Sequence, residues 1–161
     1  ARFLLIRHAE AAYETDGNGD SGGSLTSVGR DQARRLGQRL KPLRPSFIIC
    51  SEISRAVQTA EIAASVLSVP VEVRLSCGIP GGEDGHAVAR RVRSVLDDAV
   101  VRAGDQTIAV VSHGGAINSI IGRLSPGTSE LSYDALEVPP CGMVVLTLRA
   151  GEWHISGSEC G

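Results

Sequence analysis

Apolar residues fall along this chain in two alternating rhythms. Continuous apolar runs at residues 3–6, 47–50 and 107–112, rich in β-branched and aromatic side chains, predict strands buried on both faces, as in a parallel sheet. Between them the apolar positions recur at helical spacing. Val28, Ala33, Leu36 and Leu40 mark one face of a helix that Thr26 opens and Pro42 and Pro45 end, with Arg34, Arg35 and Arg39 towards its C-terminal end. Ala56, Val57, Ala60, Ala63 and Leu67 predict a second helix over residues 54–67, and Val88, Val92, Val95, Leu96 and Ala99 a third over 85–103. Ile117, Ile120, Ile121 and Leu124 form the stripe of a fourth, which begins after His113. Residues 70–74 read as a short edge strand. The C-terminal part changes character: residues 136–138, 143–148 and 153–155 read as strands joined by tight turns such as 149–152.

Strands alternating with helices in this way predict a three-layer α/β fold around a mainly parallel sheet. Two glycine-rich segments, 11–24 and 76–85, interrupt the pattern and read as loops. At 161 residues the chain fits one domain, 1–161, large enough to bury a substantial core. No repeat or linker breaks it.

Charge narrows the partners. With 16 Lys+Arg against 18 Asp+Glu the formal charge is -2, which gives no basis for binding nucleic acid or an anionic membrane. Lys41 is the only lysine, so the positive charge is almost entirely guanidinium, the planar, bidentate kind that suits phosphate and carboxylate. Cys50, Cys77, Cys141 and Cys160 are scattered and form no Cys-x-x-Cys or Cys/His cluster, which argues against a zinc site or a disulfide scaffold. No stretch approaches transmembrane length and no leader pattern stands at the start, so a cytoplasmic protein is expected.

Reactive residues gather at the predicted strand ends. In open α/β sheets ligands bind outside the carboxyl ends of the strands. Three of these strands end in polar residues: Arg7-His8 after the first, Ser51 with Arg55 one turn further after the second, and His113 after the strand at 107–112. If these ends meet, the pocket holds two imidazoles and two guanidiniums, with no carboxylate cluster and no metal-ligand spacing. Two arginines and a protonated histidine match a phosphoryl dianion through charge-assisted hydrogen bonds. A second imidazole, its tautomer fixed by a hydrogen bond from the other ring nitrogen, can attack phosphorus in line. Gly114-Gly115 lets backbone approach the ligand and begins a helix whose N-terminus favours anions. Ser51 reads as a cap or a supporting donor, since no Gly-x-Ser-x-Gly elbow surrounds it. His86, His154, Trp153 and Cys50 read as ordinary helix, strand and core residues.

This constellation resembles the histidine phosphatase superfamily, which includes cofactor-dependent phosphoglycerate mutases and many small phosphatases. Residues 5–10 (Leu-Ile-Arg-His-Ala-Glu) are similar to its Arg-His-Gly signature, and residues 25–29 with Gln32-Ala33 to the helix that follows. Residues 51–61 resemble the segment of the second arginine, and 110–115 that of the second histidine. The resemblance implies a three-layer α/β/α sandwich of phosphoglycerate mutase-like type. It also implies roles: His8 as the nucleophile that becomes phosphohistidine, Arg7 and Arg55 as phosphate-binding, His113 as a catalytic group that holds the phosphoryl oxygens. No metal or organic cofactor is implied.

The sequence departs from the family pattern at three places. Ala9 stands where the signature has glycine, as some small phosphohistidine phosphatases of the superfamily tolerate. Leu75 is followed by Ser76-Cys77 where a glutamate is often found, and Ile79-Pro80-Gly81-Gly82-Glu83-Asp84 resembles a later Gly-Gly-Glu-Ser element. Glu83 is therefore the candidate proton donor and Asp84 the second, against the plainer alternative that both acids favour a helix dipole. Ala11 and Ala12 occupy the places of the family's serine and asparagine, which weighs against a mutase. The reading that follows is a metal-independent phosphomonoester hydrolase acting on a phosphorylated small molecule. A phosphohistidine protein phosphatase and a catalytically silent phosphate-binding domain are its alternatives.

Overall fold

The computed structural model describes residues 1–12, 14–16, 19–74, 85–124 and 138–159. At its centre lies β1 (Arg2–Arg7), hydrogen-bonded in parallel to β6 (Thr107–Ser112) and antiparallel to β7 (Met143–Arg149). The six-stranded sheet continues outward through β4 (Ile48–Cys50) to β5 (Val71–Val73) on one side and to β8 (Glu152–Glu159) on the other, in the order β5-β4-β6-β1-β7-β8. Its first four strands run parallel and β7 opposes them.

The alternation of side chains along β1 assigns the layers. Leu4 and Ile6 lie in a cluster with Ala33, Leu36 and Leu40 of α1 (Ser27–Leu40) and Ala56, Ala60 and Ala63 of α2 (Ser54–Leu67). Phe3 and Leu5 lie in a second cluster with Val92, Leu96 and Ala99 of α3 (Gly85–Ala103) and Ile117 and Ile120 of α4 (Gly114–Leu124). A strand apolar on both faces thus sits between two pairs of helices, the sandwich expected from the sequence.

Helix α1 begins where predicted, since Thr26 Oγ1 accepts the backbone N–H of Gly29 at 3.0 Å. Of the face expected for it, Ala33, Leu36 and Leu40 are buried and Val28 alone is not. Val28 is 54% exposed, whereas Gly29, Ala33, Leu36, Gly37 and Leu40 are buried. The stripe starts on a glycine, which carries no hydrophobic signal, and Val28 stands about 100° round the helix from it. The reason is steric: a methyl at Gly29 would overlap the Glu10 carbonyl oxygen.

Other departures are local. The segment read as a loop at 11–24 contains an antiparallel pair, β2 (Glu14–Asp16) and β3 (Gly19–Gly22). Its strands are Gly- and Asp-rich and lack alternation, so only the Gly17-Asn18-Gly19 stretch carried a hairpin signal. Of the strand expected at 136–138, Leu136 and Glu137 lie outside the described residues and Val138 belongs to no strand. The loop at 76–85 lies outside them except for Gly85. The turn between β7 and β8 is as predicted, with Ala150 and Gly151 both at positive φ, 51° and 78°.

Candidate active site

Sheet register brings the three strand ends into one row. Arg7 pairs with Ser112 across β1 and β6, and Cys50 with Val111 across β4 and β6, so the next residues, His8, His113 and Ser51, emerge together at the carboxyl rim. Strand parity then separates neighbours: Arg7 follows Phe3 and Leu5 to one face, His8 follows Leu4 and Ile6 to the other. The side chain of Arg7 accordingly lies against α4, where a Cβ on Gly114 would stand 3.7 Å from its Cδ and Nε. That is ordinary contact, so within the protein Gly114 is not required for space. His8 lies against α2.

Backbone contacts fix the strand end. The His8 N–H donates to the Ser112 carbonyl at 3.0 Å, and the Arg7 N–H to the Gly142 carbonyl at 3.1 Å. The Cys141 N–H donates to the carbonyls of Arg7 and His8, at 3.0 and 3.4 Å. Arg7 also reaches this turn through its side chain, an Nη1 donating to the Val138 carbonyl at 2.9 Å. Its buried Nε has no hydrogen-bond partner among the described residues.

Around His8 the hydrogen bonds specify a tautomer. Nδ1 lies 2.8 Å from the Ala9 carbonyl oxygen, which can only accept, so the proton belongs on Nδ1. Nε2 then carries the lone pair, and Arg55 Nε donates to it at 3.2 Å. Arg55 stands in the first turn of α2 and is buried together with His8 and His113. The two imidazoles face each other with ring centroids 5.3 Å apart and planes inclined at 58°.

Two residues support this arrangement from behind. Ser51 Oγ accepts the Ile53 N–H at 3.1 Å and lies 2.9 Å from His113 Nε2. It is thus a hydrogen-bond partner of the second histidine and of the start of α2. Thr59 Oγ1 accepts the Ala9 N–H at 3.0 Å and donates to the Arg55 carbonyl at 2.7 Å, tying the Arg7-His8-Ala9 segment to α2. Sequence reasoning missed Thr59. It stands one helical turn after Arg55, which was the available signal.

Of the expected site residues, Arg7, His8, Arg55 and His113 come together; Glu83 and Asp84 lie outside the described residues. Among the described residues no group of three His, Cys, Asp or Glu side chains could hold a metal ion. None of the described helices is long and apolar enough to cross a membrane. His154 is half-exposed, 4.0 Å from Glu152 on the β7–β8 hairpin, remote from this row.

The chain as a whole is similar to known proteins. The profile described as "Histidine phosphatase superfamily (branch 1)" matches residues 3–77 and 74–160. A probable phosphoglycerate mutase GpmB of Erwinia tasmaniensis is 27% identical over 194 aligned positions, covering 97% of this chain and 89% of that protein. Among solved structures, a phosphoserine phosphatase mutant of Entamoeba histolytica in complex with phosphoserine superposes with a TM-score of 0.82 at 19% identity, covering 98% and 96% of the two chains. The protein histidine phosphatase SixA complexed with tungstate superposes with a TM-score of 0.75 at 22% identity, covering 99% and 97%.

Proposed function

The chain belongs to the histidine phosphatase superfamily, branch 1, and from that premise we propose that it hydrolyses a phosphoric monoester through a covalent phosphohistidine at His8. The observation that carries this reading is the hydrogen-bond pattern on the His8 ring. An imidazole with its proton held on Nδ1 by the Ala9 carbonyl keeps its lone pair on Nε2, the atom beside Arg55, as the nucleophile needs.

In the first step that lone pair forms the N–P bond as the P–O bond to the alcohol breaks. Arg7, Arg55 and His113 hold the other phosphoryl oxygens, and their charge opposes the negative charge that builds on them. Arg55 exchanges its hydrogen bond with Nε2 for one with a phosphoryl oxygen as the substrate arrives. Glu83 is the proposed donor of the proton taken by the leaving alkoxide, with Asp84 beside it. In the second step water attacks phosphorus, the N–P bond breaks, inorganic phosphate leaves and the acid recovers its proton. Arginines do here what divalent cations do in other phosphoryl transfers, so EDTA should leave turnover unchanged.

The curated relatives are named as probable phosphoglycerate mutases. Ala11, Ala12 and the short stretch between Leu75 and Glu83 favour hydrolysis over transfer back to a bound product. The test is turnover of an aryl phosphate, a phosphorylated metabolite panel, 3-phosphoglycerate and a phosphohistidine-carrying protein, with the intact chain and with His8→Ala. Release of phosphate by the intact chain and loss of it in the variant is the expected result. Unchanged turnover in His8→Ala overturns the assignment, and binding of vanadate without turnover of any substrate favours a silent phosphate-binding domain.

A further inference from the structure

The turn that grips Arg7 and His8 holds a residue in an unfavourable conformation. Pro139, Pro140, Cys141 and Gly142 form a β-turn closed by the Gly142 N–H donating to the Pro139 carbonyl at 2.7 Å. Its third position, Cys141, has φ +60°, in the left-handed region that glycine favours and side chains resist. Cys141 is nevertheless buried, with its side chain in the cluster beneath β1. Strained residues persist only where their surroundings over-determine them.

The group that does so here comes from another layer. Arg39, in the last turn of α1, donates from an Nη to the Cys141 carbonyl oxygen at 2.9 Å. That carbonyl belongs to the residue whose N–H is bonded to Arg7 and His8. The connection runs from guanidinium to carbonyl, through the single residue Cys141, to the backbone of the two residues at the centre of the site.

We propose that Arg39 is a positioning residue for the phosphate site, acting on Arg7 and His8 through the turn at Cys141. The inference rests on the reading of Arg7 and His8 as phosphate holder and nucleophile. Arg39 keeps the turn in its left-handed form; without it the turn relaxes, the Cys141 N–H leaves the strand end, and the Arg7 guanidinium loses its anchor at Val138. Misplacement of reacting groups by about 1 Å can cost on the order of a hundredfold in rate.

The experiment compares Arg39→Met, Arg39→Lys, Cys141→Gly and the double variant Arg39→Met/Cys141→Gly in the full chain. It measures kcat and KM for an aryl phosphate, inhibition by orthovanadate and the thermal midpoint. Arg39→Met should lower kcat about tenfold or more and weaken vanadate inhibition by a similar factor, and Arg39→Lys, which keeps a charged donor, should restore most of both. In the Cys141→Gly background, where the turn is no longer strained, removing Arg39 should cost less than about threefold. A lowered thermal midpoint with kcat and vanadate inhibition within about twofold of the parent would show that Arg39 serves stability alone, and equal losses in both backgrounds would show that it does not act through the turn. If Arg39→Met does not fold, Arg39→Gln carries the same comparison. Failure of the underlying reading is separate: it appears as activity retained by His8→Ala, whereas an inactive His8→Ala beside a fully active Arg39→Met sinks this inference only.

Discussion

Arg55 Nε donates to His8 Nε2 at 3.2 Å, so a cation already rests on the lone pair that would attack phosphorus. The contact sets a donor on that lone pair and, on the proposed reading, stands the guanidinium beside the phosphoryl group to be held. A lysine cannot reproduce both functions, because its ammonium is a point charge without a planar fork. Arg55→Lys should therefore lower kcat/KM by about a hundredfold or more while the chain stays folded. Steady-state kinetics with an aryl phosphate beside circular dichroism checks this, and activity within about threefold of the parent would remove Arg55 from the phosphate site.

Ser51 is the second test of the site's support. Its hydroxyl joins His113 Nε2 to the Ile53 N–H at the start of α2, and removing it leaves the part-buried Ile53 N–H without its acceptor and the buried imidazole without its partner. Ser51→Ala should cost about 1–2 kcal/mol of stability and lower kcat about tenfold, by freeing the imidazole to rotate. If the imidazole that this contact orients holds phosphoryl oxygens, as proposed, vanadate inhibition should weaken in step with kcat. Normal kinetics in a destabilised variant would reduce Ser51 to a folding role.

These residues show what could be read in advance and what could not. Arg7, His8, Arg55 and His113 were legible because each lies at or just after an apolar strand, and parallel strands deliver their carboxyl ends to one rim. The layers were legible from the unbroken run Phe3 to Ile6, which needs cover on both faces. Thr59 was not: its place one turn after Arg55 was the sole signal, and its partner across the fold, the Ala9 N–H, shows only in the structure. Of the face of α1, Ala33, Leu36 and Leu40 were legible, and only its first member was misassigned to Val28, because that member is Gly29, chosen for what it leaves out. The β2–β3 pair was missed for a similar reason: its residues have little strand propensity, and backbone pairing alone defines it.

Gly29 gives a direct check of that explanation. A methyl there would overlap the Glu10 carbonyl oxygen, backbone with no side-chain freedom to move aside. Gly29→Ala should destabilise by about 2 kcal/mol or more, with a shift in the urea midpoint and little change in slope. Gly104 is the control, at φ +61° with nothing within 4 Å of an added Cβ; alanine there meets only the left-handed backbone cost of about 1 kcal/mol. Equal losses at the two positions would mean that the close approach of α1 to Glu10 is not what selects glycine.

The buried thiols give the last prediction, with its sign fixed by burial. Desolvation pushes Cys50 up to about 12, reinforced by Glu61 and Glu52. Burial likewise pushes Cys141 up to about 11, although Arg39 pulls the other way. Both are therefore neutral thiols in the folded chain at pH 8, and only the thiolate reacts with iodoacetamide. Peptide mapping should find Cys50 and Cys141 unmodified in the native protein and modified after denaturation. Because the unfolded chain loses these protons near pH 9 and the folded chain holds them, their contribution to stability is complete below about pH 8.5 and falls as pH rises towards 11 and 12. Urea midpoints should accordingly decline above pH 9, and less steeply in Cys50→Ala, which removes the larger shift. An identical decline in that variant would assign the alkaline loss to other groups.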